Sequence, residues 1–280
     1  MNIKFLTDEI GRQMINLTPN LQKLNQNNKE VIEYFGGESK SFILESTNKN
    51  KVAYFRAGQT LSLKLQIGNS FVTRPYSISS SPKEGTYRIT VKRKQNGFVS
   101  NYILDTFEVG TKVIASAPYG NFYFEKFRDN KNVLAIAGGS GITPFVSMAN
   151  AIKDGIEDFN LTILYGNNTS NNILFKEELD KIQETCDKVK VIYVLANETK
   201  EGYEHGFISS SLIKKYAKEP YSIYVSGPSA MHEFVNKEIQ LLNKPRKDIR
   251  FETLACEGDI SNSFNYPKDS INKTYKIKDR

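Results

Sequence analysis

A change of hydrophobic period near residue 130 constrains this chain more than any other feature. From about 40 to 127, short runs rich in β-branched and aromatic residues follow one another: Ser41–Leu44, Val52–Phe55, Leu61–Ile67, Phe71–Ile78, Tyr87–Val91 and Val113–Ala117. Turn signals such as Asn48-Lys49-Asn50, Ala57-Gly58, Gly68-Asn69 and Pro82–Gly85 separate them. That spacing predicts an antiparallel β-barrel or sandwich, taken as a barrel, with one short helix at Phe98–Leu104. Beyond 130 the apolar runs become continuous, as in strands buried on both faces: Val133–Ala137, Leu161–Tyr165, Val189–Leu195, Ser222–Val225 and Ile249–Leu254. Helical stretches at Leu174–Ile182 and Pro228–Leu242 alternate with them, which predicts an α/β domain with a parallel sheet. Ahead of the barrel, Met14, Ile15, Leu17, Leu21, Leu24, Val31, Ile32 and Phe35 recur at mixed three- and four-residue steps, broken at Pro19, and predict an N-terminal helical extension. The expected division is 1–37 helical extension, 38–129 barrel, 130–255 nucleotide-type α/β domain, and 256–280 a polar tail or truncated linker.

Composition limits the chemistry. The 280 residues include two cysteines, Cys186 and Cys256, and two histidines, His205 and His232. These cannot build a disulfide scaffold or a four-cysteine cluster, and they leave little room for histidine-based chemistry, so a borrowed cofactor is expected. No apolar stretch approaches the ~20 residues of a membrane span. The net charge of +7 is scattered, with its densest runs at Lys92-Arg93-Lys94 and Lys244–Lys247. A solvated lysine-rich surface explains it most simply, while a basic face also suits polyphosphate cofactors and acidic electron carriers better than it suits nucleic acid. The opening MNIKFLTDEIGRQ lacks a secretion pattern, and a cytoplasmic location is expected.

Three local motifs carry the chemistry. Gly138-Gly139-Ser140-Gly141-Ile142-Thr143-Pro144 follows the first continuous strand. Its glycines permit a sharp turn and a close backbone approach, Thr143 is placed to cap the next helix, and Pro144 suits its first position. A helix start of this kind presents free N–H groups to a diphosphate, although a tight connection alone would look the same. It is neither a P-loop nor a G-x-G-x-x-G fingerprint. Arg74-Pro75-Tyr76-Ser77-Ile78-Ser79-Ser80 ends a barrel strand; Pro75 keeps Arg74 extended, so Arg74 and Tyr76 point to one side. A guanidinium beside a phenol ring matches a ligand with both a phosphate and an aromatic system, although an exposed strand end is the simpler reading of the motif in isolation. Val91-Lys92-Arg93 followed by Gly97-Phe98-Val99-Ser100 makes a second, weaker anion site.

In this order, and with Ala117-Pro118-Tyr119-Gly120-Asn121-Phe122, Tyr165-Gly166-Asn167-Asn168-Thr169, Ile173–Leu179 and Val225-Ser226-Gly227-Pro228-Ser229-Ala230-Met231, the motifs resemble the ferredoxin–NADP reductase superfamily of flavoprotein oxidoreductases. The resemblance spans about residues 40–255. It implies that the barrel binds FAD through Arg74, Pro75, Tyr76, Ser77, Val91, Lys92, Gly97, Phe98, Val99 and Ser100, with Tyr76 and Ser77 as the catalytic pair against the flavin. It implies NAD(P)H binding through Gly139, Gly141, Ile142, Thr143, Pro144, Gly166, Asn167, Asn168, Gly227, Pro228 and Met231, and no metal site. It further implies hydride transfer from NAD(P)H to FAD and single-electron release to an iron–sulfur carrier such as ferredoxin. An electron-transfer flavoprotein subunit of a larger complex and a non-catalytic nucleotide-binding module are the alternatives.

The chain departs from the family pattern in two places. Ser226 stands where many members have cysteine, and Asn168 where NADPH-preferring members often have arginine, which leans the donor toward NADH; Lys176 and Lys181 remain as phosphate partners. Glu252 is a weaker candidate for a flavin-facing acid. Glu177 and Glu178 read as a solvated helix face, and His232 as a surface residue.

Overall fold

The computed structural model describes residues 6–7, 13–19, 32–47 and 52–252. In its first half, eight strands build one antiparallel sheet: β1 (Leu6–Thr7), β2 (Gln13–Pro19), β3 (Ile32–Tyr34), β4 (Ser39–Ser46), β5 (Thr60–Ile67), β6 (Ser70–Ser77), β7 (Tyr87–Lys92) and β8 (Val113–Ser116). They run in the order β3-β4-β2-β8-β5-β6, with β1 on β2 and β7 on β4. The Ile78–Ile89 bridge and the Ser79 N–H donating to the Arg88 carbonyl at 2.7 Å bring the end of β6 against β7, so the sheet curls onto itself. Alternate residues fill its interior, among them Phe42, Leu44, Leu61, Leu63, Tyr87 and Ile89. Helix α1 (Phe98–Thr106) plugs one end through Val99, Ile103 and Leu104.

The second half is a six-stranded parallel sheet of β9 (Asn132–Gly138), β10 (Asn160–Asn167), β11 (Val189–Leu195), β12 (Glu204–His205), β13 (Tyr221–Ser226) and β14 (Ile249–Phe251), ordered β12-β11-β10-β9-β13-β14. Residues of β9 show why the run is apolar throughout. Val133, Ala135 and Ala137 join the core under α2 (Thr143–Lys153) and α3 (Lys176–Thr185). Leu134 and Ile136 join the opposite core with α4 (Ser210–Tyr216) and α5 (Ser229–Gln240). The strand order reverses between β9 and β13, and in open α/β sheets a ligand crevice lies beyond the strand ends at that point.

Three expectations need correction. Residues 13–19 and 32–34 of the expected helical extension are strands: β2 pairs with β8 and β4, and β3 with β4. Ile15 and Leu17, two apart, fit a two-residue period as well as a helical one, and the sheet offered β2 two partners. Residues 6–7 are likewise a strand, paired with β2, and the other residues of 1–31 lie outside the described residues, as do Cys256 and the rest of the expected tail. Val52–Phe55 is not a strand; Phe55 is buried edge-on to Tyr87 and the Ala53 carbonyl accepts the Tyr87 hydroxyl at 2.8 Å, so side chains anchor it without a ladder. Thr143 does not cap α2 by accepting a backbone N–H; its hydroxyl donates to the Ser140 carbonyl at 3.0 Å. No helix among the described residues is long and apolar enough to cross a membrane.

Candidate active site

The barrel and the α/β domain meet on a buried carboxylate. Ser77 closes β6, Ser226 closes β13, and Glu252 follows β14, where its N–H donates to the Val225 carbonyl at 2.9 Å. Glu252 accepts the Ser77 hydroxyl at 2.5 Å and also the Ser226 hydroxyl, and it is 7% exposed. Burial pushes its pKa up to about 7, against the two donated hydrogen bonds, which pull it down. One carboxyl thus joins the Tyr76-Ser77 segment to the Ser226-Gly227-Pro228 turn. The weakest candidate acid in the sequence is the residue on which two motifs converge.

Around it, Tyr76 is half-buried against the barrel core, and burial raises its hydroxyl to about 12 while Arg74 nearby lowers it. Arg74 is exposed, with Nη1 donating to its neighbour's carbonyl on Thr73 at 2.8 Å. At the start of α1 the residue Gly97 supplies no side-chain cap to the first-turn N–H groups, and Lys94 lies beside it. A Cβ on Gly97 would stand 2.5 Å from the Ser100 Oγ and 2.9 Å from the Lys94 carbonyl oxygen, so the turn closes only on glycine. Val91 and Val99 are buried in the barrel core and offer a ligand backbone only, while Phe98 is 60% exposed.

On the other side, Gly139 takes a left-handed φ of +53°, and a Cβ there would lie 4.0 Å from the Lys92 Nζ. The barrel's own cation therefore reaches the glycine turn of the α/β domain. The Gly139 carbonyl accepts the Tyr165 hydroxyl at 2.9 Å. The other glycines serve the protein's own packing: a Cβ on Gly141 would sit 2.3 Å from the Ser226 carbonyl oxygen, on Gly138 2.4 Å from the Met231 sulfur, and on Gly227 2.6 Å from the Met231 methyl. Ile142, Thr143 and Pro144 are buried in α2 and the turn before it, so they too can present only backbone. Gly166 lies under Ile208, Asn167 is buried at the end of β10, and Asn168 is exposed, its carbonyl accepting the Asn197 N–H at 2.9 Å. Pro228 and Met231 flank the start of α5. An uncapped helix start beside Lys94, a half-buried phenol ring, and a glycine turn at the sheet's reversal with Lys92 against it fit a dinucleotide on each side.

Arg88 belongs to no sequence motif, and Glu178 and His232 lie elsewhere than expected. Arg88 projects from β7 and donates through Nη1 and Nη2 to both oxygens of Glu178 at 2.9 and 2.8 Å. Glu178 therefore lies at the junction of the two halves and is not on a solvated face; a charged residue inside the apolar run Tyr87–Val91 was the available signal. His232 also departs from expectation: its ring packs on Phe251 with centroids 5.7 Å apart, and burial lowers its pKa.

Comparison with known proteins agrees with the two-domain architecture. Residues 30–124 match the oxidoreductase FAD-binding domain and residues 135–237 the oxidoreductase NAD-binding domain. The chain is 30% identical over 202 residues to NADH-cytochrome b5 reductase 1 of Dictyostelium discoideum, covering 70% of each chain. It is 29% identical over 224 residues to a flavohemoprotein of Oceanobacillus iheyensis, covering 77% of this chain and 55%, about half, of that relative. A ferredoxin NADP+ reductase from Neisseria gonorrhoeae, solved with FAD and NADP bound, superposes with a TM-score of 0.68 at 17% identity, over 85% of this chain and 98% of the other. With an FAD-binding barrel and an NAD-binding parallel sheet meeting at one buried site, the chain belongs to the ferredoxin–NADP reductase superfamily of FAD- and NAD-binding oxidoreductases.

Proposed function

We propose that this NAD(P)H–FAD oxidoreductase uses NADH and hands electrons singly to a separate one-electron redox protein, an iron–sulfur carrier of the ferredoxin kind with an acidic face. The observation that carries the reading is the Ser77–Glu252–Ser226 junction, which ties the FAD side to the nicotinamide side. FAD, when bound, accepts a hydride from reduced nicotinamide and releases electrons one at a time. Arg74, the backbone of Gly97–Ser100 and the Lys92 ammonium hold its phosphates, and Tyr76 packs on its ring system. Ser77 orients the reacting edge, and Glu252, poised to titrate near neutrality, holds a proton between the two hydroxyls. The backbone of Gly139–Thr143 and the Gly227-Pro228 turn receive the dinucleotide, with Met231 beside its nicotinamide half and Gly166–Asn168 toward its adenosine half.

Three features support NADH. Asn168 is neutral, and Lys176 is already committed to Asp180 at 2.5 Å. Glu198, whose carboxylate accepts the Ser170 N–H at 2.7 Å and Ser170 hydroxyl at 3.0 Å, sets negative charge at the same sheet end. A 2′-phosphate would meet that charge, with the Lys200 ammonium beside it on the Ser170 hydroxyl at 3.1 Å. Relatives named flavohemoprotein and NADH-cytochrome b5 reductase favour haem as a second class of acceptor.

The test is direct. The purified protein loaded with FAD should bleach anaerobically with NADH much faster than with NADPH. Its reoxidation by a ferredoxin, compared with cytochrome b5, then ranks the acceptors. A protein that retains no flavin, or whose flavin NADH fails to bleach, overturns the reading.

A further inference from the structure

The junction carries a second contact, away from Glu252, and it is built to hold distance. Arg88 sits on β7 with its side chain 11% exposed. Its Nε donates to the Ser79 hydroxyl at 3.1 Å and Nη2 to the Ser79 carbonyl at 2.8 Å, while the outer edge grips Glu178 through both oxygens. Ser79 lies two residues beyond Ser77, so the guanidinium is locked to the segment that carries Tyr76 and Ser77. Glu178 is on α3, and its Oε1 also accepts the Asn150 amide at 2.7 Å. Asn150 belongs to α2, the helix that begins at the Gly139–Thr143 turn. One turn back along α2, the Ser147 hydroxyl donates at 2.7 Å to the carbonyl of Ser80, the residue after Ser79.

The same spot also holds a strained residue. Phe175, directly ahead of α3, is buried with a left-handed φ of 58°, a conformation that bulky residues avoid. Its ring lies 5.1 Å from the Arg88 guanidinium and 5.4 Å from Tyr34 of β3. Such strain persists where surroundings over-determine it, and here Arg88 and Tyr34 of the barrel join the α/β core around it.

We propose that the Arg88–Glu178 pair, with Ser147–Ser80 beside it, is the positioning element that sets the approach of the nicotinamide turn to the flavin-facing segment. A bidentate guanidinium–carboxylate contact fixes angle as well as distance, which a lysine contact does not. Neither residue needs to touch substrate; each acts through Ser79–Ser80 on one side and α2 on the other. This inference rests on hydride passing between the two sites.

The experiment uses the full chain loaded with FAD and compares the parent with Glu178→Gln, Glu178→Asp and Arg88→Lys. Three quantities are read under anaerobic conditions: the limiting rate of flavin bleaching by NADH, the NADH dissociation constant, and the long-wavelength charge-transfer absorbance of reduced protein with NAD+. Misplacement on the ångström scale is costly, so Glu178→Gln should bleach about tenfold more slowly with weakened charge-transfer absorbance and an unchanged dissociation constant. Glu178→Asp, which keeps the charge, should recover part of the rate. Arg88→Lys should resemble Glu178→Gln and serves where that variant does not retain FAD. A folded variant with parent-like rate and absorbance, or one slowed through weaker NADH binding alone, overturns the proposal. A parent protein that NADH does not bleach overturns the functional reading instead, so the two failures are distinguishable.

Discussion

Two glutamates hold the halves of this molecule together, and they do it in opposite ways. Glu252 meets only hydroxyl donors in the contacts described, Ser77 and Ser226, and burial raises its pKa to about 7. Glu178 meets a guanidinium, Arg88, and an amide, Asn150. Burial alone would lower the Arg88 pKa, but the Glu178 carboxylate reverses this and leaves it raised. The same side-chain type therefore has its proton affinity raised by burial at one contact and is the counter-charge of a buried guanidinium at the other. Chemistry near neutral pH suits the first and rigid spacing the second.

Removing the cation should break the contrast most severely. Arg88→Met leaves Glu178 facing the barrel without its counter-charge and removes the bonds to Ser79. Breaking one partner of a largely buried pair of this kind should cost about 3 kcal/mol, read as a lower urea midpoint. Glu178→Gln leaves the more deeply buried Arg88 without its counter-charge and should cost a comparable amount. A loss near zero in Glu178→Gln would mean that shape and not charge holds this contact.

The hydroxyl-lined contact predicts a pH signature instead. With its folded pKa raised from an ordinary 4.5 to about 7, Glu252 binds a proton more tightly in the folded chain than in the unfolded one. Its contribution is therefore fully favourable below 4.5, declines as pH rises through the window up to about 7, and is lost above it, a swing of at most about 3 kcal/mol. Glu252→Gln cannot titrate and should flatten that part of the stability-versus-pH curve. A parent curve with no decline between pH 5 and 8 beyond that of Glu252→Gln would show that the carboxyl is not held near neutrality.

The contrast also explains what could be read from the sequence. The parallel strands were legible because their surroundings are apolar on both sides: β11 was expected at Val189–Leu195 and occupies those residues. Helix α4 was not, since Ile213 is its one buried residue and leaves no periodic stripe. Ser77 and Ser226 were marked by motifs, yet Glu252 was nearly passed over, because its partners lie 175 and 26 residues away and nothing local distinguishes it from any other glutamate. Glu178 is equally indistinct in sequence, in a helix whose neighbouring Glu177 is exposed. Local pattern reports burial and turns; it does not report which charge a fold will bring opposite another.

The smallest effect separates the two hydroxyls of the Glu252 contact. Each donates to the carboxylate and so favours its ionised form, which means that deleting either should raise the Glu252 pKa further. Ser226→Ala should move the pH inflection of the stability curve upward and cost about 1 kcal/mol where the carboxylate is charged. Ser226→Cys installs a weaker S–H donor at the same place, so its inflection should fall between those of the parent and Ser226→Ala. Ser77→Ala should shift the inflection as Ser226→Ala does, but from the barrel side, where it should also alter the flavin absorbance that Ser226→Ala leaves alone. An inflection that moves downward in either alanine variant would mean that the hydroxyls accept from a protonated Glu252, and the direction of the proton between the two halves would be reversed.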